Sequence, residues 1–142
     1  MLVTKNKVLS FNIFFLKILF LFFCYSYVSA DSNTIQDGGT ETDQQNIDGD
    51  GQFLTVKNSS TLATGATTKA ANVTGDSVTV TVESGSTISA NTVAVFGDTT
   101  SDLTVTNSGT ITASGTTAID AKATTNATIT NNSGGTISSN RN

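Results

Sequence analysis

The chain contains no histidine, no tryptophan and no proline, and its one cysteine and both tyrosines fall between Met1 and Ala30. Each absence closes a class of function. Without histidine the commonest general base and the imidazole metal ligand are missing. Beyond Cys24 there is no thiolate to serve as a nucleophile or soft metal ligand, and no disulfide framework. Large apolar residues are scarce as well: past Ala30 the only aromatics are Phe53 and Phe96. A conventional globular core is hard to fill from such a set. Basic charge is also in short supply. From Asp31 onward the chain holds all eleven acidic residues against Lys57, Lys69, Lys122 and Arg141, a net charge of −7. That balance argues against nucleic acid, whose phosphates demand a basic footprint.

What is abundant is Thr, Ser, Asn, Gly, Ala and Val. Thr and Val favour a pleated surface, while Gly and Asn favour tight turns. No helical period is present, so a narrow core stacked from small β-branched residues is expected.

Residues 1–30 are of a different kind. Lys5, Lys7 and Lys17 form a basic region, Ile18-Leu-Phe-Leu-Phe-Phe-Cys24 a short apolar one, and Val28-Ser29-Ala30 places small residues where a signal peptidase reads them. This order is that of a secretory signal peptide, with cleavage expected after Ala30. A membrane anchor is disfavoured, because Lys17 breaks the run well short of the ~20 apolar residues a spanning helix needs. A lipoprotein reading of Cys24 is disfavoured by bulky Phe22 and Phe23 before it. The signal peptide is set aside from fold reasoning.

The rest divides in two. Residues 31–51 are acidic and polar without apolar periodicity, and are expected to form a flexible linker or arm. Residues 52–142 repeat one phrase: Leu54-Thr-Val-Lys-Asn-Ser-Ser-Thr-Leu62, Thr79-Val-Thr-Val-Glu-Ser-Gly-Ser-Thr-Ile88, Leu103-Thr-Val-Thr-Asn-Ser-Gly-Thr-Ile111 and Ala127-Thr-Ile-Thr-Asn-Asn-Ser-Gly-Gly-Thr-Ile137. The phrase closes on Leu62, Ile88, Ile111 and Ile137, at a nearly constant period. Repetition at such a period signals a solenoid. Strict alternation within each phrase writes short strands with one buried side, and Thr92-Val-Ala-Val95 and Ala118-Ile-Asp-Ala121 read as a third strand. Three strands and three bends in each repeat make one coil, with neighbouring strands ~4.8 Å apart. The fold predicted is all-β: a right-handed parallel β-helix of about three to four coils, its fourth coil cut short. The expected inner ladders are Val56/Val82/Val105/Ile129, Leu62/Ile88/Ile111/Ile137 and Val93/Ile119. Asn58/Ser84/Asn107/Asn131 are expected as a polar ladder at a bend. An antiparallel sandwich also shows regular turn signals, and a Ser/Thr-rich disordered stalk is a further alternative. Phrase-level repetition favours the solenoid over the first, and alternation without proline over the second.

The phrases Val105-Thr-Asn-Ser-Gly-Thr-Ile111 and Ile129-Thr-Asn-Asn-Ser-Gly-Gly-Thr-Ile137, behind a long leader, resemble the passenger repeats of bacterial autotransporters. The resemblance covers roughly residues 52–140 and rests on a degenerate motif. It implies a β-helical passenger shown on the surface of a Gram-negative cell through an outer-membrane β-barrel. No series of ~10-residue alternating segments with aromatic girdles is read here. The barrel translocator is therefore expected outside these residues, and the chain is read as a truncated gene, a fragment or one module of a split protein.

Chemistry is sparse. No catalytic, cofactor-binding or metal-binding residue is assigned, no cofactor is expected, and the chain is read as non-enzymatic. Asp76, Glu83, Asp98, Asp102 and Asp120 are spread one or two per coil, which suits solvation better than a paired-carboxylate glycosidase or other polysaccharide enzyme. A lyase would want a basic partner; Arg141 lies at the end and Lys122 shows no evident companion. Residues 46–57, beginning Asn46-Ile-Asp48-Gly-Asp50-Gly51, resemble the first half of a calcium loop. Asn46 replaces the first Asp, Lys57 replaces the closing Glu, and no helices flank it, so an acidic turn is the preferred reading. The triplets at Asn58, Asn72, Asn126 and Asn131 match glycosylation acceptors by composition alone. The expected role is adhesive: a surface passenger that meets host cells, matrix or glycans through a repetitive face. Ice or crystal-surface binding is the alternative. It rests on the outward pairs Thr79/Thr81, Thr104/Thr106, Thr110/Thr112 and Thr128/Thr130, and uneven coil length counts against it. An uncovered last coil is expected to leave the 31–142 segment marginal and prone to end-to-end self-association.

Overall fold

A computed structural model describes residues 33–35, 38–65, 69–98 and 101–140. The expected signal peptide with its cleavage point, and Arg141, lie outside the described residues. Fourteen short strands follow one another with no helix between them among the described residues. In order they are β1 (Asn33–Ile35), β2 (Thr40–Glu41), β3 (Gln45–Ile47), β4 (Phe53–Val56), β5 (Thr61–Ala63), β6 (Ala71–Val73) and β7 (Val78–Val82). After them come β8 (Thr87–Ala90), β9 (Val93–Gly97), β10 (Asp102–Asn107), β11 (Thr110–Ala113), β12 (Thr117–Asp120), β13 (Asn126–Asn131) and β14 (Thr136–Ser139).

Every third strand joins the same sheet. Sheet A runs β1-β4-β7-β10-β13, sheet B β2-β5-β8-β11-β14, and sheet C β3-β6-β9-β12. All the pairings are parallel. This is a β-solenoid of about four turns: the coils β1–β3, β4–β6, β7–β9 and β10–β12, then β13 and β14. The parallel β-helix read from the phrase repeat is the observed fold.

The alternation of the sequence becomes alternation of burial. β7 reads Val-Thr-Val-Thr-Val with every Val buried and every Thr half-exposed. Leu54, Val56, Leu62, Val78, Val80, Val82, Ile88, Val95, Leu103, Val105 and Ile111 are at most 1 % exposed and form one continuous core. Full burial of each such side chain contributes roughly 1.5–3 kcal/mol, and stacking puts its counterpart in the next coil ~4.8 Å away.

The stretch expected as a flexible arm, 31–51, instead contains β1, β2 and β3. They pair with β4, β5 and β6 and add a coil that apolar periodicity does not reveal. A terminal coil needs apolar side chains on one side only. Ile47 is buried and Ile35 packs against the core, while Glu41 occupies the row above Leu62. The Glu41 carboxylate turns to accept the backbone N–H groups of Thr42 and Asp43 at 3.0 and 3.1 Å. Backbone pairing, not composition, places β1, β2 and β3.

The ladder Leu62/Ile88/Ile111/Ile137 is found as expected. The other two are each corrected at one step, where the register moves on to the next residue of the same face. In sheet A, Val56 does pair with Val82 and Val105 with Ile129, but Val105 stacks on Val80 and Asn107 on Val82. In sheet C, Ile119 stacks on Val95, and Val93 meets Thr117. The sheet A shift has a clear cause. Four-membered bends join β4 to β5, β7 to β8 and β13 to β14, whereas only Ser108 and Gly109 join β10 to β11. The shorter bend lengthens β10 and carries Asn107 into the inward row. Asn58 (φ 56°), Gly85 (φ 79°) and Gly134 (φ 86°) turn the longer bends through the left-handed region. Gly109 serves the short one by size: a Cβ there would lie 2.3 Å from the Ser86 carbonyl oxygen.

Asn107 thus stands inside the solenoid, with no exposed surface, and its amide is fully used. Nδ2 donates to Asn131 Oδ1 at 2.8 Å, Thr136 O at 3.0 Å and Gly109 O at 3.2 Å, and Oδ1 accepts the Gly109 N–H at 3.2 Å. Asn131 Nδ2 donates in turn to Gly135 O at 2.9 Å. The amide ladder expected at the bend exists for Asn107 and Asn131, but it faces inward. Neither Asn58 nor Ser84 belongs to it, since Val56 and Val82 continue that row.

Candidate functional site

Outward positions distinguish the three sheets. On sheet A, Thr34, Thr55, Thr81, Thr106 and Thr130 form one unbroken column. On the same face of each strand, Phe53, Thr79, Thr104 and Thr128 form a second. On sheet B, Thr40, Thr61, Thr87, Thr110 and Thr136 make a third column. Beside it run Ala63, Ser89, Thr112 and Ser138. The pairs Thr79/Thr81, Thr104/Thr106 and Thr128/Thr130 therefore come together in one array, while Thr110/Thr112 lies on sheet B.

The register holds although the coils differ in length. The column Thr55/Thr81/Thr106/Thr130 stays in line through coils that shorten by one residue at each step. Bends absorb the difference because a bend residue has no ladder partner to keep. A hydrogen bond joins Ser138 Oγ to Thr112 Oγ1 at 3.2 Å on sheet B. No side-chain hydrogen bond among the described residues engages the threonines of β4, β7, β10 and β13.

Sheet C presents different chemistry. Asn46, Asn72, Phe96 and Asp120 form its outward column. Asn72 Nδ2 donates to Asn46 Oδ1 at 3.3 Å, and Lys69 Nζ donates to Asn72 Oδ1 at 3.1 Å. The same ammonium lies 3.3 Å from the centre of the Phe96 ring, a cation–π contact. Asp120 is paired with Lys122 at 3.2 Å, a companion for Lys122 that its sequence position did not suggest.

The acids remain dispersed. Asp50 and Asp76 form a staircase at the bend from sheet C to sheet A. Asp50 Oδ1 accepts the Asp76 N–H at 3.0 Å, and Asp76 Oδ1 accepts the Ser101 N–H at 2.7 Å. Asp102, at the edge of sheet A where β10 begins, accepts from Asn126 Nδ2 at 3.0 Å. Glu83 is exposed on the bend after β7. Among the described residues no group of three or more Asp, Glu, His or Cys is placed to hold a metal ion. Residues 46–57 run from β3 through a bend into β4. Their first oxygen, Asn46 Oδ1, is already occupied by Gln44 Nε2 at 2.7 Å and by Asn72. Ala118, Ile119, Ile129 and Ile137 line a shallow groove between β12, β13 and β14.

The columns were open to sequence reasoning only as pairs. Thr34, Thr40, Thr55, Thr61 and Thr87 join them through register, and the Lys69–Phe96 contact carries no sequence signal, since the two residues lie in successive coils. No protein-family model matches the chain, and no curated protein or solved structure matches it.

Proposed function

We propose that this chain is an exported, non-enzymatic β-solenoid that works as an adhesive passenger on the surface of a Gram-negative cell. On this reading it docks on other surfaces through its repetitive outer faces, and an autotransporter-type β-barrel in the outer membrane presents it. The observation that carries the reading is the registered threonine columns of sheets A and B. They offer many equal, weak contacts over an extended face, which is how a binder without a concave site gains affinity, by multivalence. Asp50, Asp76 and Asp102 support it, since their hydrogen bonds run from coil to coil and serve the scaffold. The leader read in residues 1–30 supports export.

Expression of the full chain in a Gram-negative host tests both parts. Secreted material should begin Asp31-Ser32-Asn33 on N-terminal sequencing, and coated beads should be retained on host cells, matrix or glycan surfaces. A product still starting at Met1 would defeat the export proposal. Beads that bind none of these surfaces would defeat the adhesive one.

A further inference from the structure

We propose that the outer face of sheet A docks on an ordered lattice of water, the surface of ice. The inference deepens the adhesive reading, on which it rests, by naming the face and its occupant. Thr55, Thr79, Thr81, Thr104, Thr106, Thr128 and Thr130 stand at the nodes of a two-dimensional array. Its repeat is ~4.8 Å along the solenoid axis and ~6.6 Å along each strand, the separation of neighbouring parallel strands and twice the rise per residue. Each node carries one hydroxyl and one methyl. Thr is stiff at χ1, so the array is ordered before it meets anything, and little rotamer entropy is lost on docking. Uneven coil length counts against a lattice match in the sequence, but the register removes the objection: every step from Thr34 to Thr130 returns Thr to Thr, and the second column does so from Thr79 to Thr128.

Strand propensity alone accounts for threonine on a strand. It does not account for the sorting. Sheet C has the same strand geometry, yet its outward column is Asn46, Asn72, Phe96 and Asp120. Charge is sorted likewise. Asp43, Asp48, Asp50, Lys57, Asp76, Glu83 and Asp98 lie in bends, Lys69, Asp120 and Lys122 on or beside sheet C, and Glu41 in the row of Leu62 on sheet B. Asp102 stands at the rim of sheet A, outside the threonine columns and tied to Asn126. No charged side chain occupies the columns themselves. A charge in the array would hold its own hydration shell and would have to be stripped on docking. The array suits a neutral occupant. It also suits water better than a polysaccharide, because Phe53 is the only ring beside the columns on which a sugar could stack, and the carboxylate and amide that flank them, Asp102 and Asn126, are bonded to each other at the rim.

The test uses the full chain, produced through a secretory route and checked by circular dichroism. Thermal hysteresis and partition into a slowly growing ice hemisphere are measured for the wild type, Thr106→Tyr, Thr106→Val and Asn72→Tyr, with binding to crystalline cellulose and chitin in parallel. The wild type should show hysteresis and enter the ice. Thr106→Tyr, which lifts one node out of the plane, should lose both. Thr106→Val, which keeps the shape and removes a hydroxyl, should weaken them, and Asn72→Tyr on sheet C should leave them unchanged. A folded wild type excluded from ice overturns the inference, as does equal ice binding by Thr106→Tyr and Asn72→Tyr. Exclusion from ice with retained cellulose or chitin binding removes the water lattice and leaves the adhesive reading standing. Binding to neither ice, glycan nor cells removes both.

Discussion

Sheets A and B and sheet C share one backbone geometry and one core, yet their outward sides follow different rules. Sheets A and B each carry one column that repeats threonine in all five strands, whereas the outward column of sheet C runs from Asn46 and Asn72 to Phe96 and Asp120. Backbone pairing therefore does not require outward repetition. On sheet C the coils are held together by specific contacts, such as Lys69 with Phe96 and Asn72 with Asn46. On sheet A the inward row stacks from coil to coil, and outside the threonine columns Asn126 bonds Asp102 at the rim.

The comparison breaks most violently where both regions share a core. Ile111, between Ile88 and Ile137, has no exposed surface. Ile111→Asp buries an unpaired charge and should cost several kcal/mol or unfold the coil, on the order of the largest single-site effects. Thr110→Asp, one residue away and facing out, should stay within about 0.5 kcal/mol. Urea unfolding followed by circular dichroism reads both, and equal effects would contradict the inward and outward assignment.

A smaller loss is expected at Asn107. Asn107→Ala leaves the Gly109 N–H and the Thr136 and Gly109 carbonyls without their side-chain partner, which should destabilise by about 1–3 kcal/mol. Asn107→Val restores the apolar row of Val56 and Val82 but still deprives those groups. It should land between Ala and wild type in the same unfolding series.

On sheet C, Lys69→Ala removes both the cation–π contact and the bond to Asn72. The expected cost is about 0.5–1 kcal/mol, visible as a modest drop in melting temperature. Smallest of all is Lys122→Ala, because the Lys122 side chain is 79 % exposed in its pair with Asp120. Such exposed pairs contribute roughly 0–1 kcal/mol and fade with salt. A shift in its midpoint as large as that of Asn107→Ala would mean that sheet C carries far more of the stability than its contacts indicate.

Period-two alternation and a recurring phrase settled strand type, parallel stacking and the ladder through Leu62, Ile88, Ile111 and Ile137, because side-chain direction along a strand is a local property. The first coil was not legible. β1, β2 and β3 bury one side against a preformed neighbour, so they need few apolar residues, and Glu41 in an inward row reads from sequence as a linker residue. Asn107 was read as a bend residue because its phrase matches the others almost letter for letter. Only the packing of the stretch from Leu103 to Thr112 against the coil below shows its bend to be shorter than the rest.

Composition and pattern by themselves determined the coil: small β-branched residues inward, threonine outward, glycine and asparagine where the chain turns. Tertiary structure decided the register between coils, and with it every long-range feature: the five-membered threonine columns, the Asp50–Asp76 staircase, the buried amide of Asn107 and the charge-free columns. The physical reason is that strand pairing can slip by a pair of residues, keeping every side chain on its face, at nearly the same backbone energy. Packing of the inner side chains and satisfaction of the buried amide choose among the steps, and both exist only once the coils are stacked.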